Sequence, residues 1–97
     1  MTGDFTRADY LALQSVVHAV AEAVRAVLAP ERVYVLSLGS QAANAHVHWH
    51  VAPLPPGVPF ERQQLEALRW DEGYLDVSDA ELEALAARLR PEIATHL

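Results

Sequence analysis

His46-Val47-His48-Trp49-His50-Val51-Ala52 sets three histidines at every second position, with hydrophobic residues between them. An extended strand points residues i, i+2 and i+4 to one face. His46, His48 and His50 would therefore stand in a row, about 6.6 Å from one to the next at a rise of roughly 3.3 Å per residue. Val47, Trp49 and Val51 would point the other way, into a core. The stretch predicts a strand from Ala45 to about Pro53, polar and titratable on one side and apolar on the other.

Upstream, Val33-Tyr34-Val35-Leu36-Ser37-Leu38 is rich in β-formers and predicts a second, buried strand. Gly39-Ser40-Gln41-Ala42-Ala43-Asn44 predicts the connecting loop. Two strands so close in sequence predict an antiparallel hairpin. Before them, Tyr10, Leu13, Val17, Val20, Val24, Val27 and Leu28 recur at helical spacing. Thr6 is a suitable N-cap, Asp9 three residues on completes a weak capping box, and Pro30 stops the helix near Leu28.

Downstream, Pro53 to Pro59 holds four prolines and a glycine and predicts no regular element, because proline removes donors and fixes φ. Residues 61–71 favour a short helix anchored by Leu65, Leu68 and Trp70 and ended by Gly73. Ser78 with Glu81 forms a capping box for a last helix, with Leu82, Leu85, Ala86 and Leu89 on one face. Pro91 would either end that helix or start a last turn.

A chain of 97 residues is one small domain, and 52% hydrophobic residues make a packed core the expectation rather than disorder. No apolar run looks long enough to span a bilayer, and no signal peptide stands at the start. Cysteine is absent, which removes disulfides, thiolate catalysis and Cys-based zinc sites and suits a cytoplasmic location. The net charge of −6 argues against nucleic acid and anionic membranes as partners, since both need a basic surface. A small phosphorylated ligand needs only a few local donors. All seven basic residues are arginine, which reads as the composition of a GC-rich bacterial genome.

Two strands pose a problem of their own. An isolated hairpin is marginal in water, and its open edges invite pairing. The chain is therefore expected to self-associate through a strand edge or to belong to a larger sheet.

The pattern His-apolar-His-apolar-His-apolar-apolar in residues 46–52 resembles the signature of the histidine-triad (HIT) family of nucleotide hydrolases and transferases. The setting is similar too: a long helix, a strand ending near Gly39, a polar loop, then the triad strand and Pro53. The resemblance covers about residues 5–54. It implies an α+β fold with an antiparallel sheet, a long helix on one face and C-terminal helices, here N-terminally truncated because the family's earlier strands are missing. It also implies a homodimer through a strand edge and the long helix, and a purine nucleotide or nucleotide conjugate as ligand, with no cofactor.

The same resemblance assigns roles. His48 would attack the α-phosphorus and form a nucleotidyl-histidine intermediate, which water or another acceptor resolves. His46 and His50 would stabilise developing charge on phosphate oxygens. Ser37, Gly39, Gln41 and Asn44, just before the triad, would contact phosphate and the leaving group, with Ser40 offering a further hydroxyl. Three other readings stand beside this one: a catalytically weak nucleotide- or phosphate-binding remnant, a metal-binding protein using the histidine row, and a plain polar strand face. His18 and His96 are read as structural or solvated.

Overall fold

The computed structural model describes residues 5–37, 48–63 and 77–97. Helix α1 spans Arg7–Leu28, strand β1 Arg32–Leu36, strand β2 His50–Leu54 and helix α2 Asp79–His96, with a short 3-10 turn at Phe60–Arg62. The class is α+β, with two helices and a two-stranded antiparallel sheet among the described residues.

Helix α1 begins where the sequence places it. The Thr6 hydroxyl oxygen accepts from the Asp9 backbone N–H at 3.1 Å, satisfying one of the donors a helix start leaves open. At its end Ala29 adopts the left-handed conformation (φ 46°, ψ 53°) and its N–H returns to the Arg25 carbonyl. This local turn closes the helix one residue before Pro30.

Two buried stripes run along α1. One carries Val17 and Val24; the other is Ala19 and Ala23, both fully shielded from solvent. Tyr10 continues the valine stripe and its ring meets Trp49, so that stripe faces the strands. The alanine pair, with minimal side chains, is left to the other neighbour, α2, which packs closely on α1.

Helix α2 opens on the expected capping box: Ser78 Oγ accepts from the Glu81 N–H, and the Glu81 carboxylate accepts from the Ser78 N–H, both at 3.2 Å. It runs antiparallel to α1. Its Arg88 reaches the Val27 carbonyl, and His96 acts on the charge of Glu22. Leu82 lies six residues before Arg88, about 9 Å further along the axis. That places it past the end of α1, and it is 49% exposed, whereas Leu85, Ala86 and Leu89 are half-buried. Pro91 neither ends the helix nor starts its last turn. The helix continues through it to His96, giving up one backbone hydrogen bond.

The hairpin has the register Arg32↔Leu54, Val33↔Pro53, Tyr34↔Ala52, Val35↔Val51 and Leu36↔His50. Both strands are shifted from the expected bounds. β1 includes Arg32 and ends at Leu36, and β2 runs through Pro53 to Leu54 instead of stopping at the proline. Pro53 is tolerated because a proline can sit on an edge strand with its nitrogen turned away from the ladder. The Glu31 N–H, donating to the Leu54 carbonyl at 2.9 Å, closes the far end. Gly57, with φ 91°, takes the left-handed position after Pro56 that a tight turn of this kind needs.

The chain differs from expectation in one more respect. Arg7–Leu28 is, by length and composition, long and apolar enough to cross a membrane. Its charges, Arg7, Asp9, Glu22 and Arg25, sit near its ends and leave the middle uncharged. In the fold, the apolar length is partly used against the strands and α2.

Residues 38–47 and 64–76 lie outside the described residues. The loop Gly39–Asn44, the first triad histidine, and most of the short helix expected over 61–71, with Leu65, Leu68, Trp70 and Gly73, therefore do too. Glu61 and Arg62 belong to the 3-10 turn.

Candidate functional site

The site is built on the entrance to β2. His50 is the first residue of the strand, paired with Leu36; Trp49 and His48 precede it. The alternation expected from the sequence is present here. The rings of His48 and His50 lie on a common side, with centroids 5.2 Å apart and planes at 89°. Trp49 goes the other way, its ring 6.5 Å from that of Tyr10 on α1. His48 and Trp49 are half-buried, and His50 is exposed. The helix thus supports the strand from beneath through an aromatic pair, and two imidazoles stand on the opposite surface.

The seam under the row is not fully satisfied. The Trp49 indole N–H is buried and finds no acceptor among the described residues, and the Gln14 side-chain amide nitrogen is in the same condition. Gln14 is one helical turn beyond Tyr10, on the side of α1 that faces the strands.

Of the residues expected to contact phosphate, Ser37 is described. Its hydroxyl donates to the backbone carbonyl of His48 at 2.8 Å. A serine hydroxyl has one hydrogen, so in this conformation Ser37 faces any further group as an acceptor. His46, Gly39, Ser40, Gln41 and Asn44 lie outside the described residues. The structure therefore brings together His48, His50 and Ser37.

Gln63 plays a part that the sequence did not signal. Only 8% exposed, it donates from its amide nitrogen to the Val58 carbonyl at 3.0 Å and, more weakly, to Glu31 at 3.4 Å. It clasps the segment after β2 to the start of β1. No periodicity or spacing marks a lone glutamine for this role.

Among the described residues, no group of three or more histidine, cysteine, aspartate or glutamate side chains could hold a metal ion. The resolved charge coupling lies elsewhere, on α1. Arg25 Nη2 is 2.7 Å from Glu22 Oε2, one helical turn away. That hydrogen bond holds the Glu22 carboxyl below its usual value and raises the Arg25 guanidinium. His18 and His96 are exposed, as expected. An open depression lined by Leu82, Glu83, Ala86 and Arg90 lies on α2 and shares no residue with the histidine row.

No protein-family model, curated protein or solved structure matches the chain.

Proposed function

We propose that the chain is a HIT-like nucleotide hydrolase or transferase acting at the α-phosphate of a nucleotide conjugate, with His48 as nucleophile. The observation that carries this reading is the pair of imidazoles, His48 and His50, held 5.2 Å apart on one side of the chain as it enters β2, with Trp49 anchoring the other side. In the first step a neutral His48 ring nitrogen attacks the α-phosphorus. The N–P bond forms, the bond to the leaving group breaks, and the leaving group departs with the bonding pair and gains a proton. In the second step water attacks the same phosphorus, the N–P bond breaks, and nucleoside monophosphate leaves with His48 restored. His50, and His46 by its place in the motif, donate to phosphate oxygens as charge builds on them.

The working unit proposed is a homodimer joined through a strand edge and the long helix. Among the described residues, the sheet has two strands. β2 carries Pro53, which blunts its outer edge, whereas β1 runs Arg32–Leu36 without proline. Val35 on β1 and Leu11 and Val16 on α1 are 45–55% exposed. These are the surfaces that a second copy would cover.

A binding role without turnover is the second reading. The two strands found among the described residues favour it, because a catalytic row needs rigid support to hold reacting atoms in line. One experiment separates the two. The protein is incubated with an adenylated conjugate and its intact mass is followed. A nucleotidyl adduct, absent in His48→Ala, supports the enzyme; nucleotide-induced spectral shifts with neither adduct nor turnover support the binding role. Solution mass tests the dimer, and a clean monomer would remove that proposal.

A further inference from the structure

The hydrogen-bond ladder of the hairpin stops at the pair Leu36↔His50. One residue beyond it, a side chain takes over. Ser37 Oγ donates to the His48 carbonyl at 2.8 Å, across eleven residues of sequence and in a part-buried setting where water competes poorly. This bond ties the residue after β1 to the backbone of His48, which lies before the first residue of β2.

We propose that Ser37 is a positioning residue for His48: its hydroxyl pins the His48 carbonyl and so sets the 5.2 Å, edge-on placement of the His48 and His50 rings. The proposal rests on the reading of His48 as nucleophile. It separates Ser37 from a phosphate ligand, because the single hydroxyl hydrogen is directed at protein. Deleting a phosphate contact weakens binding of the nucleotide. Deleting a positioning contact leaves binding and slows the chemical step, since even about 1 Å of misplacement can cost on the order of a hundredfold in rate.

The test uses the full chain with Ser37→Ala, which deletes the bond, and Ser37→Thr, which restores a hydroxyl. AMP is the binding probe and an adenylated conjugate the reactive one. For Ser37→Ala the expected result is adduct formation at saturating conjugate slowed by roughly tenfold or more, with AMP affinity within about twofold of the parent. Ser37→Thr should recover most of the rate. In nitrogen-detected spectra of the imidazoles, the His48 and His50 signals should move in Ser37→Ala while those of His18 and His96 stay. Should the alanine variant fail to fold, Ser37→Cys, of similar size but a weak donor, replaces it.

An unchanged adduct rate overturns the proposal. So does a loss confined to AMP affinity, which would make Ser37 a phosphate ligand, or a threonine variant no better than alanine. If the parent itself forms no adduct, the nucleotidyl reading falls. The imidazole spectra then decide the positioning claim alone: movement confined to His48 and His50 upholds it, and its absence ends it.

Discussion

Arg88 on α2 donates through Nη2 to the Val27 carbonyl of α1 at 3.0 Å, joining residues 61 positions apart. The last carbonyls of a helix have no partner within it, and a cation there also meets the negative end of the helix dipole. Arg88→Leu keeps much of the apolar stem and removes the donor. Loss of about 1 kcal/mol is expected, a fall of several degrees in thermal midpoint for a chain of this size, read by circular dichroism. An unchanged midpoint would show that water caps Val27 equally well.

Ala29 is the described non-glycine residue with positive φ, at 46°. An L-residue there brings Cβ close to the following carbonyl, at a cost of roughly 1 kcal/mol that glycine escapes. Glycine also gains freedom in the unfolded chain, which takes back part of that sum. Ala29→Gly should therefore stabilise by about 0.5 kcal/mol, measured by denaturant unfolding with unchanged slope. Destabilisation would mean that α1 does not end in this left-handed turn.

Trp49 packs its ring on Tyr10 while its N–H lies buried without an acceptor among the described residues. Trp49→Phe retains an aromatic ring and deletes the orphan donor, whose desolvation costs on the order of 1–3 kcal/mol. The variant should be as stable as the parent or more so, whereas Trp49→Ala should lose about 2–3 kcal/mol. A phenylalanine variant as unstable as the alanine one would reveal a partner for the indole.

The Glu22–Arg25 pair sets a pH dependence of known sign. Its hydrogen bond lowers the Glu22 carboxyl below the usual 4.5 in the folded chain. A depressed carboxyl contributes stability above its unfolded value and loses it as pH falls through its folded one. The stability difference between the parent and Glu22→Gln should thus be present at neutral pH and shrink below pH 4.5, with the same trend in high salt. Arg25 is exposed and Glu22 half-buried at the surface, so the effect is small. A difference that grows toward acid pH would contradict this pairing.

Much of the fold was legible because its causes are local. Thr6 and Ser78 announce helix starts, since a short hydroxyl side chain satisfies backbone donors within three residues. The alternation around His48 and Trp49 separates the two sides of the chain, because the strand period is set by backbone geometry alone. The Val33–Leu36 run and its nearness to the histidines made the hairpin readable.

What tertiary structure decided depends on who stands opposite. That β2 passes through Pro53 follows from its having, among the described residues, one ladder beside it, in which Val33 stands opposite the proline. That Leu82 is exposed follows from where α1 ends. The sequence by itself determined the helix starts, the hairpin and the side of the strand on which His48 and His50 stand. Only the packed chain decided that Tyr10 supports Trp49 from below and that the Ser37 hydroxyl holds the His48 carbonyl. Contacts between residues eleven or more positions apart leave no period or cap in the sequence, because they depend on how the elements meet rather than on how each one forms.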